Sequence, residues 1–185
     1  MATTIQNFFS KATTSQFSRD FLFRVKQVDL IGGVSFDGDG DLVYARSASL
    51  PGRNITNVNV NYFGQEFQVP GRATYANAAG YSIEFYHDEN CEIRTKMEAA
   101  SRAVWGGVTG NADTDSKGLY GMPGEESVIN LEQIDKNLNP VREIKLIGAS
   151  IRDIGDISYT IAEGTGTVLN FPVTFAYHFY TDFSS

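Results

Sequence analysis

Five side chains able to bind a metal or move a proton fall within six positions, His87, Asp88, Glu89, Cys91 and Glu92, inside the stretch "YSIEFYHDENCEIRTKMEAASRAVW" that runs from Tyr81 to Trp105. Imidazole, thiolate and carboxylate are the usual zinc ligands and the usual members of nucleophilic dyads. Cys91 is the chain's single cysteine and His87 one of its two histidines. A metal, however, needs three or four donors converging on one point. These five straddle the place where period-two alternation (Tyr81, Ile83, Phe85) gives way to helical spacing (Ile93, Met97, Ala100, Val104), so they point in several directions. His87 and Cys91 are four apart, but His87 precedes the helix and lies outside its spacing. The cluster therefore reads as a strand-to-helix junction. Asp88 caps the helix, Glu89 and Glu92 sit at its positive end, Gly106 and Gly107 terminate it, and Ile93, Met97, Val104 and Trp105 dock it.

The other chemical motifs fail in similar ways. "DGDGD" at 37–41 has the front of a calcium loop, but such a loop needs Gly at its sixth position and Glu at its twelfth, where this chain has Leu42 and Ala48. A solvated hairpin tip fits better. The glycines at 32–40 are not followed by Gly-Lys-Ser/Thr, so they make no P-loop. His178 lies on the polar face of the last strand, far in sequence from a Ser or Cys partner, and reads as a surface histidine. The expectation is a protein with no catalytic residues, no cofactor and no metal. A net charge of −7 and a pI of about 4.8 exclude a basic footprint for gripping phosphates. The same charge suits a surface that nucleic acid passes without adhering. One cysteine excludes an internal disulfide. No run approaches the roughly 18 apolar residues of a membrane span, and "MATTIQNFFSKATT" lacks the basic start and apolar core of a signal peptide. This reads as a chain made in a cytoplasm, without membrane insertion.

The elements that would position these residues are mostly strands. With 185 residues, 42% of them hydrophobic, 13 Phe and 9 Tyr, the chain can build one real core. "LNFPVTFAYHFYTDF" puts Leu169, Phe171, Val173, Phe175, Tyr177 and Phe179 on one face of one long strand. Alternation also marks strands around Phe21–Lys26, Asn57–Tyr62 and Tyr81–Phe85, with turn residues at "FGQE", "NAAG", "KNLNP" and "EGTG" between elements. The fold class is mainly β: an antiparallel β-sandwich or partly closed barrel, with one flanking α-helix and a long hairpin arm from about Ser49 to Pro70. Residues 1–20 read as an N-terminal arm that orders against a partner, 21–181 as a single domain and 182–185 as a C-terminal tail. Residues 32–41 and 106–126 read as Gly-rich loops.

In order and local pattern the chain resembles the tail tube proteins of T4-like contractile-tailed bacteriophages. The resemblance is carried by "FLFRVKQV", then "SASLPGRNI" with Leu50-Pro51, then "VNVNYFGQEFQVPGRATY" as a hairpin. The strand, Asp-Glu and helix of 81–105 follow, with "VREIKLIGASIRDIGDISYT" and "FPVTFAYHFYT" to close. It covers about residues 20–181, and the Leu-Pro hairpin and the strand-helix junction are its more specific parts. It implies the fold shared with the tubes of type VI secretion machines and a homohexameric ring whose strands join into one barrel. Such rings stack into the inner tail tube of a virion, assembled in the host cytoplasm, through which DNA is ejected without specific binding. The implied partners are further copies of the chain, the tail sheath protein, and baseplate and tape-measure proteins. Baseplate tube-initiator or adaptor, or a secreted tube protein of a related injection system, is the alternative. Under this resemblance the subunit-interface candidates are Leu50, Pro51, Ile55, Val58, Val60, Tyr62 and Phe67, and the uncharged row Asn57, Asn59, Asn61, Gln65, Gln68 faces a lumen or a neighbour.

Overall fold

Alternating bulky and polar side chains allow a strand to bury one face and wet the other, and sheet dominates the molecule for that reason. The computed structural model describes residues 5–14, 18–31, 33–37, 40–75, 78–104, 122–160 and 166–184. In chain order the elements are α1 (Ile5–Thr14), β1 (Phe23–Leu30), β2 (Val34–Asp37), β3 (Ala45–Ala48), β4 (Arg53–Tyr62), β5 (Gln65–Tyr75) and β6 (Tyr81–Tyr86). They continue with α2 (Glu92–Val104), β7 (Val128–Ile134), β8 (Pro140–Ile147), β9 (Ser150–Ile154), β10 (Asn170–Ala176) and β11 (Phe179–Ser184). A five-stranded sheet, β11-β8-β7-β1-β2, packs on a four-stranded sheet, β3-β6-β10-β9, while β4 and β5 form a separate two-stranded ribbon. All pairings are antiparallel. The sheets do not close, so the sandwich is realised and the barrel is not.

One core fills the space between the layers. Val28, Ile129 and Leu146 come from the five-stranded sheet, and Ile83, Phe85, Phe171 and Phe175 from the four-stranded sheet. Each such fully buried side chain contributes roughly 1.5–3 kcal/mol of apolar transfer. α2 contributes Ile93, Met97 and Ala100 and lies against β9 and β2, the outermost strands at that side of the two sheets. It is held there by Arg94, which bonds Glu98 and the Gly155 carbonyl (2.9 Å) and stands over the Phe171 ring.

Several sequence expectations change. The C-terminal stretch is two strands. β10 belongs to the four-stranded sheet and β11 to the five-stranded one, with a break at Tyr177-His178. β8 and β9 change sheet beside them, at Gly148-Ala149. The paired strands thus fold over from one layer into the other. Gly148 permits the bend: its φ is +69°, and a Cβ there would lie 2.1 Å from Cδ2 of His178. The His178 amide donates to the Ile147 carbonyl (2.9 Å), and its ring Nε2 meets the Pro123 carbonyl (3.2 Å). His178 is exposed, as read, but it is a corner piece. Burial continues without interruption through Phe171, Val173, Phe175 and Tyr177, so alternation alone could not reveal the break.

The segment read as a loop at 32–41 contains β2, and the N-terminal arm contains α1, whose Ile5 and Phe9 are exposed. α2 starts at Glu92, later than expected. Cys91 precedes it at φ +57°, and Asp88 Oδ2 accepts from the Glu92 amide (2.8 Å) across the intervening turn. A bulge between Val25 and Gln27 turns Val25, Val28 and Leu30 inward, and Phe21 lies exposed before the strand. β11 runs through the residues read as a tail. Trp105 and residues 106–121 lie outside the described residues.

Candidate assembly interface

The ribbon β4-β5 is the most exposed element of β structure, and its sequence explains its shape. Its turn is Phe63-Gly64 with φ of +51° and +74°, the left-handed pair of a type I′ hairpin, whose twist matches that of the strands. That turn fixes the register Tyr62↔Gln65, Val60↔Phe67, Val58↔Val69. One face therefore carries a row of Val58, Val60, Tyr62, Phe67 and Val69, and the other carries Asn57, Asn59, Asn61, Glu66 and Gln68; Gln65, expected in the uncharged row, pairs with Tyr62 and so lies on the apolar face. Every residue of β4 is exposed; Val60, mid-row, is 47% accessible. Ile55 sits beyond a bulge, opposite Ala73 and outside the row.

An exposed ribbon of two strands is marginal in water, so its root must be fixed. Tyr81 donates its phenol proton to the Ser49 carbonyl (2.7 Å), and burial pushes that phenol's pKa above its usual range. Pro51 is buried, and Tyr75 packs edge-on against Tyr177 and Tyr180. Of the interface candidates, Leu50, Val58, Val60, Tyr62, Phe67 and Ile55 are exposed and Pro51 is not.

Below the root, Glu132 is nearly sealed, with 2% of its side chain accessible, and is gripped by Arg24 (2.5 Å) and Lys26 (2.8 Å). Burial pushes its carboxyl up, but the bonds from Lys26 and Arg24 outweigh this and hold it below the ordinary carboxylate range. The bond to Glu132 raises Lys26 in turn. Sequence reading missed Glu132; a charged residue between the apolar Leu131 and Ile134 of "VINLEQI" was the available signal. It also missed Phe63, an aromatic residue at a turn position that usually takes Asn, Asp or Gly.

The 87–92 cluster is placed otherwise. Cys91 Sγ lies 3.4 Å from His87 Nε2, and the same nitrogen is 2.9 Å from the Tyr159 hydroxyl, a partner that sequence spacing gave no hint of. Asp88 is bound to the helix start, and Glu89 and Glu92 are exposed. Among the described residues no three His, Cys, Asp or Glu side chains converge as a metal would require. Ile93 and Met97 are buried and Val104 half-buried.

The same architecture occurs in large particles. A chain of the six-fold symmetrised cryo-EM structure of the anti-feeding prophage baseplate matches with a TM-score of 0.63 and 11% identity, over 92% of this chain and 97% of that one. The fold is one found in contractile injection particles. A chain of the anti-feeding prophage cap, the tube-terminating cap, matches at 0.56 and 12% identity, over 91% and 92% of the two chains. A chain from the sheath-tube complex of an extracellular contractile injection system in its extended state matches at 0.52 and 10%, over 95% and 97%. Neither a protein-family model nor a curated protein sequence matches the chain. At these identities the contractile-injection likeness is one of fold.

Proposed function

We propose that the chain is a structural subunit of a phage-like contractile particle. Copies associate into hexameric rings that stack as the inner tail tube, a conduit for DNA inside a contractile sheath, with no chemistry of their own. The observation that carries this reading is the free ribbon. Its apolar row, two unpaired strand edges and the exposure of all of β4 and most of β5 make a surface suited to another protein, and supplying strands to a neighbour's sheet removes the edges. The fold likeness supports the setting, a particle with tube, sheath and baseplate. The outer part of the opposite ribbon face, Asn57, Asn59, Asn61 and Gln68 with Glu66, suits a passage for nucleic acid because it offers no cation to a phosphate; Arg53 and Arg72 stand nearer the root.

Negative-stain electron microscopy of the concentrated protein tests the reading. Hollow stacked rings are expected, and a monodisperse monomer at high concentration overturns it. The likeness to a baseplate chain favours a second reading, a ring that starts or adapts the tube. It would yield single rings that do not stack.

A further inference from the structure

The ribbon's tip is built against its own turn chemistry. Phe63 occupies a left-handed position where a bulky side chain is disfavoured, and its ring is 91% exposed, held edge-on against Tyr62 at 4.8 Å between centroids. An exposed, pre-oriented aromatic ring on a disfavoured backbone has the form of a binding anchor. At the other end of the ribbon, beside its root, lies a cavity of about 160 Å³ with an apolar side of Leu22, Phe23, Leu50 and Leu131 and a charged side that includes Asp20 and Glu132. A phenyl ring matches the space in size, since ~150 Å³ holds benzene, and the apolar side gives it a surface to lie on. Arg24 is held by Glu132 and Arg19 stands over the Phe21 ring at 5.9 Å, so the apolar side is what an incoming ring would meet.

We propose that the Phe63 ring of one copy seats in the root cavity of the next copy. The geometry selects a second copy. The ten residues of β4 separate tip from root by about 30 Å at ~3.3 Å per residue, so a chain cannot plug its own cavity without breaking the ribbon. That distance is about the diameter of a small domain, one subunit's width. Plug and socket at opposite ends of one arm make a head-to-tail contact, the kind that closes into a ring when the rotation permits. The proposal rests on the assembly reading and names the contact that would carry it.

The test places the photo-cross-linker p-benzoylphenylalanine at position 63 in a one-to-one mixture of ¹⁵N-labelled and unlabelled full-length protein, at a concentration where rings form. Mass spectrometry should find mixed-isotope cross-links to residues 18–24, 48–50 or 131–133. Mixed-isotope cross-links to α2 or to another ribbon, or none while rings are visible, overturn the socket and leave the assembly reading standing. Absence of rings from the unmodified protein overturns both. A second variant separates binding from folding. Phe63→Asn supplies the residue that a type I′ turn prefers, so the monomer should unfold at the same temperature or higher, yet ring formation should need at least about tenfold more protein. Phe63→Tyr should assemble as the unmodified chain does. Unchanged assembly of Phe63→Asn overturns the proposal.

Discussion

Replacing Gly148 by Ala probes the corner at which the strands change sheet. Two costs add. Holding an L-residue at φ +69° costs about 1–2 kcal/mol. The new Cβ, 2.1 Å from Cδ2 of His178, must also push that ring off its rotamer, about 0.5–1.5 kcal/mol, and away from the Pro123 carbonyl. The expected total is roughly 2–3 kcal/mol of lost stability, measured by urea unfolding followed by circular dichroism, with an unchanged slope against denaturant. The double variant Gly148→Ala/His178→Ala removes the steric part, so it should be less destabilised than the sum of the singles by about 1 kcal/mol. If Gly148→Ala lies within about 0.5 kcal/mol of the unmodified protein, or if the two changes simply add, the account of the corner is wrong.

Three more outcomes follow from the same structure. Glu132→Gln should destabilise by about 1–3 kcal/mol near neutral pH. Because the folded carboxyl titrates below its unfolded value of about 4.3, its contribution is complete above that pH and fades as pH falls through the lower folded value, so the two proteins should converge in acid; a gap that persists there refutes this. Val60→Asp should abolish rings in electron micrographs while leaving the β circular dichroism signal intact, since it charges the ribbon's apolar row and touches no core residue; rings from this variant would free the row of any role. Asp88→Ala should cost about 0.5–2 kcal/mol in thermal or urea unfolding through the orphaned Glu92 amide, and a neutral result would mean that water replaces the carboxylate.

Much of this architecture could be read from side-chain order, but only where one face is wet. Residues 81–85 alternate because water touches one side of the strand, and α2 shows its stripe for the same reason; 57–62 alternate although both of their faces are exposed, which sets the ribbon apart. β7 was invisible. Asn130 and Glu132, on its outer face, are covered by Gln27, Arg24 and Lys26, so both faces are buried, and the alternation of polar and apolar residues is confined to Ile129–Glu132, too short to stand out. The break at Tyr177-His178 escaped because the core accepts side chains from both layers in one unbroken series. β2 escaped because it has only four residues between glycines. The ribbon was legible as a hairpin from "FGQE", but its separation from both sheets is a tertiary fact. The same holds for the meeting of Cys91 and Tyr159 at His87, since Tyr159 lies 72 positions away from His87.

Between Arg53 and Arg72 the ribbon bears a single charged side chain, Glu66. Against a net charge of −7 on each subunit, the ribbon itself adds little local repulsion, and the charges and proline that guard its edges, Arg53, Arg72 and Pro70, lie toward its root. Encounters grow with the square of subunit concentration, so the onset of association is a matter of supply and timing. On the proposed assembly, a cell that stockpiled free subunits would collect unplanned aggregates. Productive growth calls for a seed that consumes subunits as fast as they are made.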